Sequence, residues 1–396
     1  MSECIETTLG QLCDDGGGDI QTGPFGSQLH ASDYVEDGVP SVMPMNIGDN
    51  VIDSHGIARI TVAHSERLKK YRLRSGDIVY SRRGDVEKRA LIRSENDGWL
   101  CGTGCLRIRL GNGSIADPIF VSYALGLEES RRWVVNHAVG ATMPNLNTKI
   151  MRALPIMLPP PAVQAAVAQV LGALDDKIAA NAGLVDSADE LARGLAEAAI
   201  DPGKMEPLVA AAAVTMGSSP TGETFNDHGQ GIPFYQGTRD FGVRYPRRRI
   251  WTTDPIRIAQ VHDCLFSVRA PVGAINLADE ELCIGRGLAS VRTKRGMPYI
   301  LFHMLSLSSN AWKGYQAEGT VFGSINGQQL SALRIHTVRE SETAELEARL
   351  ESLELRIRSA MIESNALAKL RDTLLPYLMS GKLRVRDAEK QVEEVV

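Results

Sequence analysis

The stretch ETAELEARLESLELRIRSAMIESNALAKLRDTLL, residues 342–375, decides the fold. Apolar or small side chains fall at Leu346, Leu350, Leu353, Ile357, Ala360, Ser364 and Leu367, in alternating steps of four and three. That is a heptad seam, and Glu, Arg and Ser fill most positions between. No proline comes before Pro376 and no glycine before Gly381. One unbroken helix of about 50 Å is therefore expected, at ~1.5 Å per residue. So narrow a stripe calls for one partner helix rather than a broad core. Residues 161–200 offer that partner, with a seam at Val167, Leu171, Leu174, Ile178, Asn181, Val185 and Ala188. Asn181 is a polar seam residue of the kind that fixes register at some cost in stability. Gly172, Gly183 and Gly194 lower this helix's intrinsic stability and permit close approach of a neighbour.

Outside the two helices the chain says the same thing twice. Residues 75–83, SGDIVYSRR, answer to residues 261–269, VHDCLFSVR. Gly102-Thr103-Gly104 answers to Gly285-Arg286-Gly287, and GATMPNLN at 140–147 answers to GTVFGSIN at 319–326. The offset drifts from 186 at Asp77/Asp263 to 179 at Asn147/Asn326, as loops of unequal length in one frame would make it. The order is globule, helix, globule, helix, with boundaries at 1–158, 159–203, 204–340 and 341–396. Residues 78–80 and 106–110 read as strands and 118–133 as one helix. Pro159-Pro160-Pro161 makes a rigid approach to the first long helix.

With 396 residues, two or three units are expected rather than one core. The apolar fraction of 43% and charged fraction of 23% are those of an ordinary globular protein. No apolar run approaches a membrane span and the N-terminal residues lack a signal pattern, which points to the cytoplasm. The six cysteines show no C-x2-C pair, so reduced buried thiols are expected. The net charge of −5 is unevenly spread. Residues 159–203 carry 2 Lys and Arg against 7 Asp and Glu, and residues 204–340 carry 15 against 11. Acidic struts with a basic second globule are compatible with nucleic-acid binding.

The layout resembles the specificity subunit of type I restriction–modification systems, across nearly the whole chain. The resemblance rests on GDIVYSRRGDV at 76–86, GATMPNLN at 140–147 and LPIMLPPPAVQAAVAQVLGALDDKI at 154–178. It rests also on LAKLRDTLLPYLMSGKLRV at 367–385. The second half departs in detail: Val268 stands at the position that answers to Arg82, so one Arg of the pair is kept, and no proline run follows Ile335. The resemblance implies an α+β fold, with two similar target-recognition domains separated by two long helices packed as an antiparallel coiled coil. It implies double-stranded DNA with a two-part target as ligand. It also implies two DNA-methyltransferase subunits and, in restriction, motor-nuclease subunits as partners, and no membrane. S-adenosylmethionine, ATP and Mg are then expected on those partners and no cofactor or metal on this chain.

Arg82 and Arg83 follow a strand directly, where a guanidinium can reach phosphates or grip guanine O6 and N7. The bland alternative is a surface pair bridged to Asp85 or Glu87. Arg269 stands at the equivalent place. Thr142, Asn145 and Asn147, with Thr320, Ser324 and Asn326 in the second copy, are short polar groups suited either to base edges or to a hydrogen-bonded turn. Gln236, Arg239, Arg244, Arg247, Arg248 and Arg249 form a basic stretch interleaved with Tyr235, Phe241, Tyr245 and Trp251. Phosphate binding is the functional reading and a charged β edge the bland one. Gln28, His30 and Asn46 carry a weaker signal. No P-loop, adenine-methyltransferase tetrapeptide, H-E-x-x-H or G-x-S-x-G occurs. The chain thus reads as a non-catalytic DNA-specificity subunit. A coiled-coil assembly scaffold without sequence-specific binding is the alternative, and a self-contained nuclease ranks behind both.

Overall fold

The computed structural model describes residues 4–140, 142–316 and 323–393. The chain forms an α+β structure of two compact units, Met1–Ala179 with Ser364–Val396, and Ala180–Glu363. The unit borders fall inside the long helices, so each unit owns a globule and a length of both helices. No described helix is long and apolar enough to cross a membrane.

In the first unit a five-stranded sheet runs in the order Asp19–Thr22, Cys105–Arg109, Ile78–Ser81, Arg89–Leu91, Asp49–Asn50. A four-stranded sheet and the ribbon Ile5–Thr8 with Pro155–Leu158 complete the globule. The ribbon leads into the first long helix, Pro161–Ala198, whose opening proline needs no donor there. Residues 118–133, expected as one helix, are two: Pro118–Ala124 and Glu128–His137. The break falls at Gly126, where a Cβ would lie 1.8 Å from Arg89 Nη2. Only a glycine lets the buried guanidinium pass so close to the backbone.

The second unit repeats the plan. Its four-stranded sheet is ordered Ala212–Met216, Leu288–Thr293, Cys264–Ser267, Ile275–Leu277, beside a five-stranded sheet. Its ribbon pairs Ile200–Pro207 with Arg334–Val338 and leads into the second long helix, Thr343–Met379. That helix continues through Pro376 by one turn, with Ser380 N donating to Pro376 O at 3.1 Å.

The repeat holds bond by bond. Asp77 receives two bonds from Arg109 at 2.7 and 2.6 Å, and Asp263 two from Arg292 at 2.8 and 2.9 Å. Leu9 N donates to Leu154 O, and Leu208 N to Leu333 O.

The seams pack as their spacing requires. In the second unit Asn181 Nδ2 donates to Glu363 Oε2 at 2.8 Å. Val185 and Ala188 pack with Ile357 and Ala360, and Ala192 and Ala196 share a core with Leu346 and Leu350. As numbers rise along one helix they fall along the other, so the pair is antiparallel. In the first unit Val167, Leu171 and Leu174 share a core with Leu367, Leu374 and Leu378. That core also takes Phe120 and Leu146 from the globule, so these seams serve globule and helix together.

Candidate nucleic-acid interface

Strand Ile78–Ser81 delivers Arg82 and Arg83 to its end, and residues 144–146 are bonded against them. Leu146 N donates to Arg82 O at 2.9 Å, Gly84 N to Pro144 O at 3.1 Å, and Arg83 forms a backbone bridge with Asn145. The two motifs, 64 residues apart at Arg82 and Leu146, thus form one surface. Arg82 is half-buried. Its Nε donates to Leu146 O at 3.2 Å and its guanidinium lies over the Phe25 ring at 5.7 Å. Burial, and then the adjacent Arg83, hold its pKa below the usual arginine value. Arg83 is exposed, as are Thr142 and Met143. The carboxylates that could have tied the pair down are engaged elsewhere: Asp85 with Lys88 at 3.7 Å and Glu87 with Arg131 at 3.5 Å.

The second globule builds the same joint. Ile325 N donates to Val268 O at 3.0 Å, and Arg269 bridges to Ser324 as Arg83 does to Asn145. Val268, in Arg82's place, is buried, while Arg269 is exposed. Thr320 lies outside the described residues. Beside this joint, Val268 N donates to Gly287 O and Gly287 N to Gln236 O. Exposed Gln236 accepts from Ser219 Oγ at 2.9 Å, and that hydroxyl accepts in turn from Arg286 N. Arg269, Arg286 and Gln236 are therefore neighbours through the backbone. Arg286 was visible in the sequence as the middle residue of Gly285-Arg286-Gly287 and was not singled out. Phe25 was likewise missed: an aromatic 55% exposed, its ring beneath Arg82.

Asn147 and Asn326 take the bland reading. Each opens a short helix, accepting from Ile150 N at 2.8 Å and from Gln329 N at 2.9 Å. A side-chain oxygen that satisfies a helix N-terminus is not free for a base edge. Asn145 is half-buried at its bridge. Asn46 is buried, bonded to Met43 N and Asp53 O, and Gln28 accepts from Tyr71 Oη. His30 N is bonded to Asp33.

The basic stretch 236–249 divides. Arg244 is 3% exposed, ion-paired to Asp189 and 3.5 Å from Glu354, with its guanidinium 4.4 Å over the Phe302 ring. It is a core residue, and the expectation of a phosphate contact there is corrected: two carboxylates from the long helices had claimed it. Arg248 is bonded to Glu280 at 2.5 Å and Arg249 to Asp240 at 2.6 and 3.1 Å, which raises the pKa of each. Arg239 and Arg247 are exposed and join no ion pair among the described residues. Three of the interleaved aromatics face inward: Tyr235 is fully buried, Phe241 packs on the same core and Tyr245 donates to Glu354 at 2.5 Å.

Residues 31–187 match the family model described as the type I restriction modification DNA specificity domain. Over 378 residues the chain is 26% identical to a Methanocaldococcus jannaschii protein named as the specificity subunit of the type I restriction enzyme MjaX. The match covers 88% of each chain. Among solved structures, the S subunit of a type I restriction–modification system from M. genitalium covers 95% of this chain and 96% of its own. The two are 16% identical with a TM-score of 0.60, a likeness of fold. The resemblance read from the motifs is borne out, and with it the α+β fold.

Proposed function

We propose that this relative of the type I specificity subunits is the non-catalytic subunit that reads a two-part DNA sequence for a methyltransferase. One observation carries the reading. The same backbone-pinned joint is built twice, and each copy puts an exposed arginine, Arg83 or Arg269, at the end of a buried strand. A fold needs no such residue for its own core, and a guanidinium held at a strand end can meet a base edge or a phosphate. Two copies suit a target with two specific blocks, and the long antiparallel helices suit a spacer of fixed length between them. The partners are then two methyltransferase subunits, joined by motor-nuclease subunits where the system restricts. S-adenosylmethionine, ATP and Mg would serve on those partners.

The test is the methylated motif, sequenced genome-wide in cells that make this chain with its methyltransferase. The wild type should mark two short blocks around a degenerate spacer. Arg83→Ala should relax one block and Arg269→Ala the other. A scaffold without sequence reading would leave the motif unchanged in both variants.

A further inference from the structure

A second cationic surface in the first globule belongs to neither recognition joint. A cleft of about 840 Å³ opens between the start of strand Asp19–Thr22, residues 69–74 and strand Cys105–Arg109. Lys69, Lys70, Arg72, Arg74, Arg107 and Arg109 line it, against Asp19 and Asp97. Part of that charge is spoken for. Arg109 holds Asp77, Arg107 holds Asp19, and Arg72 lies 2.5 Å from Glu66. Lys69, Lys70 and Arg74 are exposed and join no ion pair among the described residues. Arg107 is 3% exposed, and its Nε is buried with no hydrogen-bond partner. An orphaned buried donor costs free energy that a ligand's acceptor would return.

The fold does not require this charge. Arg74 N donates to Asp77 Oδ2 at 2.8 Å, and Gln260 N to Asp263 Oδ2 at 2.9 Å, which fixes the alignment of the two globules here. Lys69, Lys70, Arg72 and Arg74 then answer to Pro255, Ile256, Ile258 and Gln260. Arg107 answers to Ser290, for each pairs across its sheet at the same step, with Val79 and with Leu265. At those six positions the second globule keeps one cation, Arg292, and the only other cation in its 255–260 segment is Arg257, opposite Tyr71. Crowded like charge works against the folded state. Its presence in one copy alone points to a polyanionic ligand.

We propose that this cleft binds the phosphate backbone of duplex DNA beside the block that the first globule reads. The inference rests on the functional reading above. Strand Ile78–Ser81 has the cleft's Arg109–Asp77 pair at its start and Arg82 and Arg83 beyond its end. Four residues span roughly 13 Å, close to the ~12 Å width of a major groove. One backbone strand can lie in the cleft while the arginine pair works across the groove.

The test uses the full-length chain and a random-sequence duplex, with binding followed by fluorescence anisotropy from low to moderate salt. The variant combines Lys69→Gln, Lys70→Gln and Arg74→Gln, all exposed, and its melting curve checks folding. At ~0.9 per phosphate released, the slope of log affinity against log salt should become shallower by about two to three. Low-salt affinity should fall about tenfold or more, on every sequence alike. An equal charge removal at Arg356, Lys369 and Lys382 should move the slope less than half as far. An unchanged slope, or equal losses in the two triple variants, overturns the cleft site. If the cleft variant loses tripolyphosphate binding yet keeps its duplex slope, the cleft is a free-phosphate site and the proposal fails. A wild-type chain that binds no duplex overturns this proposal, while the functional reading stands or falls separately on the methylated motif. Weakening by Arg83→Ala with no effect of the cleft variant overturns the proposal alone.

Discussion

The two units bury a carboxylate at the same place and neutralise it from different directions. Asp175 on the first long helix and Glu354 on the second are 179 residues apart, the offset that also relates Asn147 to Asn326. Both are nearly inaccessible. Asp175 accepts from Tyr123 Oη at 2.6 Å and from Arg371 of the second long helix at 2.7 Å, with Arg93 of the globule farther off at 3.8 Å. Glu354 accepts from Tyr245 Oη at 2.5 Å, and its cation is Arg244, from a loop of the globule. Counted from Pro118 and Pro298, which open equivalent helices, Tyr123 and His303 hold the same position. The tyrosine that one unit draws from that helix, the other draws from the loop, and a histidine fills the vacated place. The frame fixes where the buried charge sits. Which element answers it is free to change.

The largest effect should come from breaking these clusters. Arg371→Met leaves Asp175 with Arg93 alone, 3.8 Å away, and Arg244→Met leaves the buried Glu354 without its cation. Removing one partner of a buried pair costs about 3–5 kcal/mol. At ~2–4 °C per kcal/mol for units of this size, the affected thermal transition should fall by roughly 10 °C. A shift under a degree in either variant would show that the cluster is solvated and that the comparison holds on paper only.

Acid should separate the units next. Burial, and then Arg244, push the His303 pKa down to about 4, while Asp189 opposes them. The folded unit therefore binds fewer protons than the unfolded chain between about 6.5 and 4. The stability tied to His303 is present above pH ~6.5 and is lost as pH falls toward 4, by up to about 3 kcal/mol. Glu354 and Glu347 act oppositely. Burial raises both pKa values, so their contribution is present below pH ~4.5 and declines as pH rises past it. His303→Gln should flatten the acid limb of the second unit's melting profile. A limb unchanged by the substitution would place its origin elsewhere.

Specificity should divide more finely. Arg83→Ala should cost about 1–3 kcal/mol of discrimination at one block of the target, and Arg269→Ala the same at the other. A uniform loss across sequences would assign both to phosphates instead. The smallest effect belongs to the helix caps. Asn147→Ala and Asn326→Ala should each cost about 1 kcal/mol in stability and leave the methylated motif as it was. An altered motif would return those asparagines to the reading surface.

The architecture was legible because its signals are periodic or repeated. Heptad steps at Leu346–Leu367 and Val167–Ala188 need no knowledge of loops, and a duplicated frame announces itself twice. The site was less legible because charge in a sequence carries no direction. Arg244 stands beside Arg247–Arg249 in the chain, yet its side chain turns inward to carboxylates contributed by helices 55 and 110 residues away. Asn147 looks like a base reader until the helix after it is seen to need a cap. The run Lys69-Lys70-Tyr71-Arg72-Leu73-Arg74 was passed over, although Tyr71 and Leu73 point into the core and leave the cations to the cleft. What decided each case was which partner lay across the fold.

Because the unit borders cut the helices, the order of synthesis and the order of completion differ. The core that holds Leu9, Phe120 and Leu171 also needs Leu367, Leu374, Leu378 and Ala388. The second unit is continuous in sequence, from Ala180 to Glu363. On the ribosome the first globule must therefore wait while the whole second unit is made, roughly ten to forty seconds at ~5–20 residues per second. The unit translated last-but-one is finished first. A chain truncated near residue 363 would release a complete second unit attached to a first unit whose apolar face stays open to chaperones and proteases.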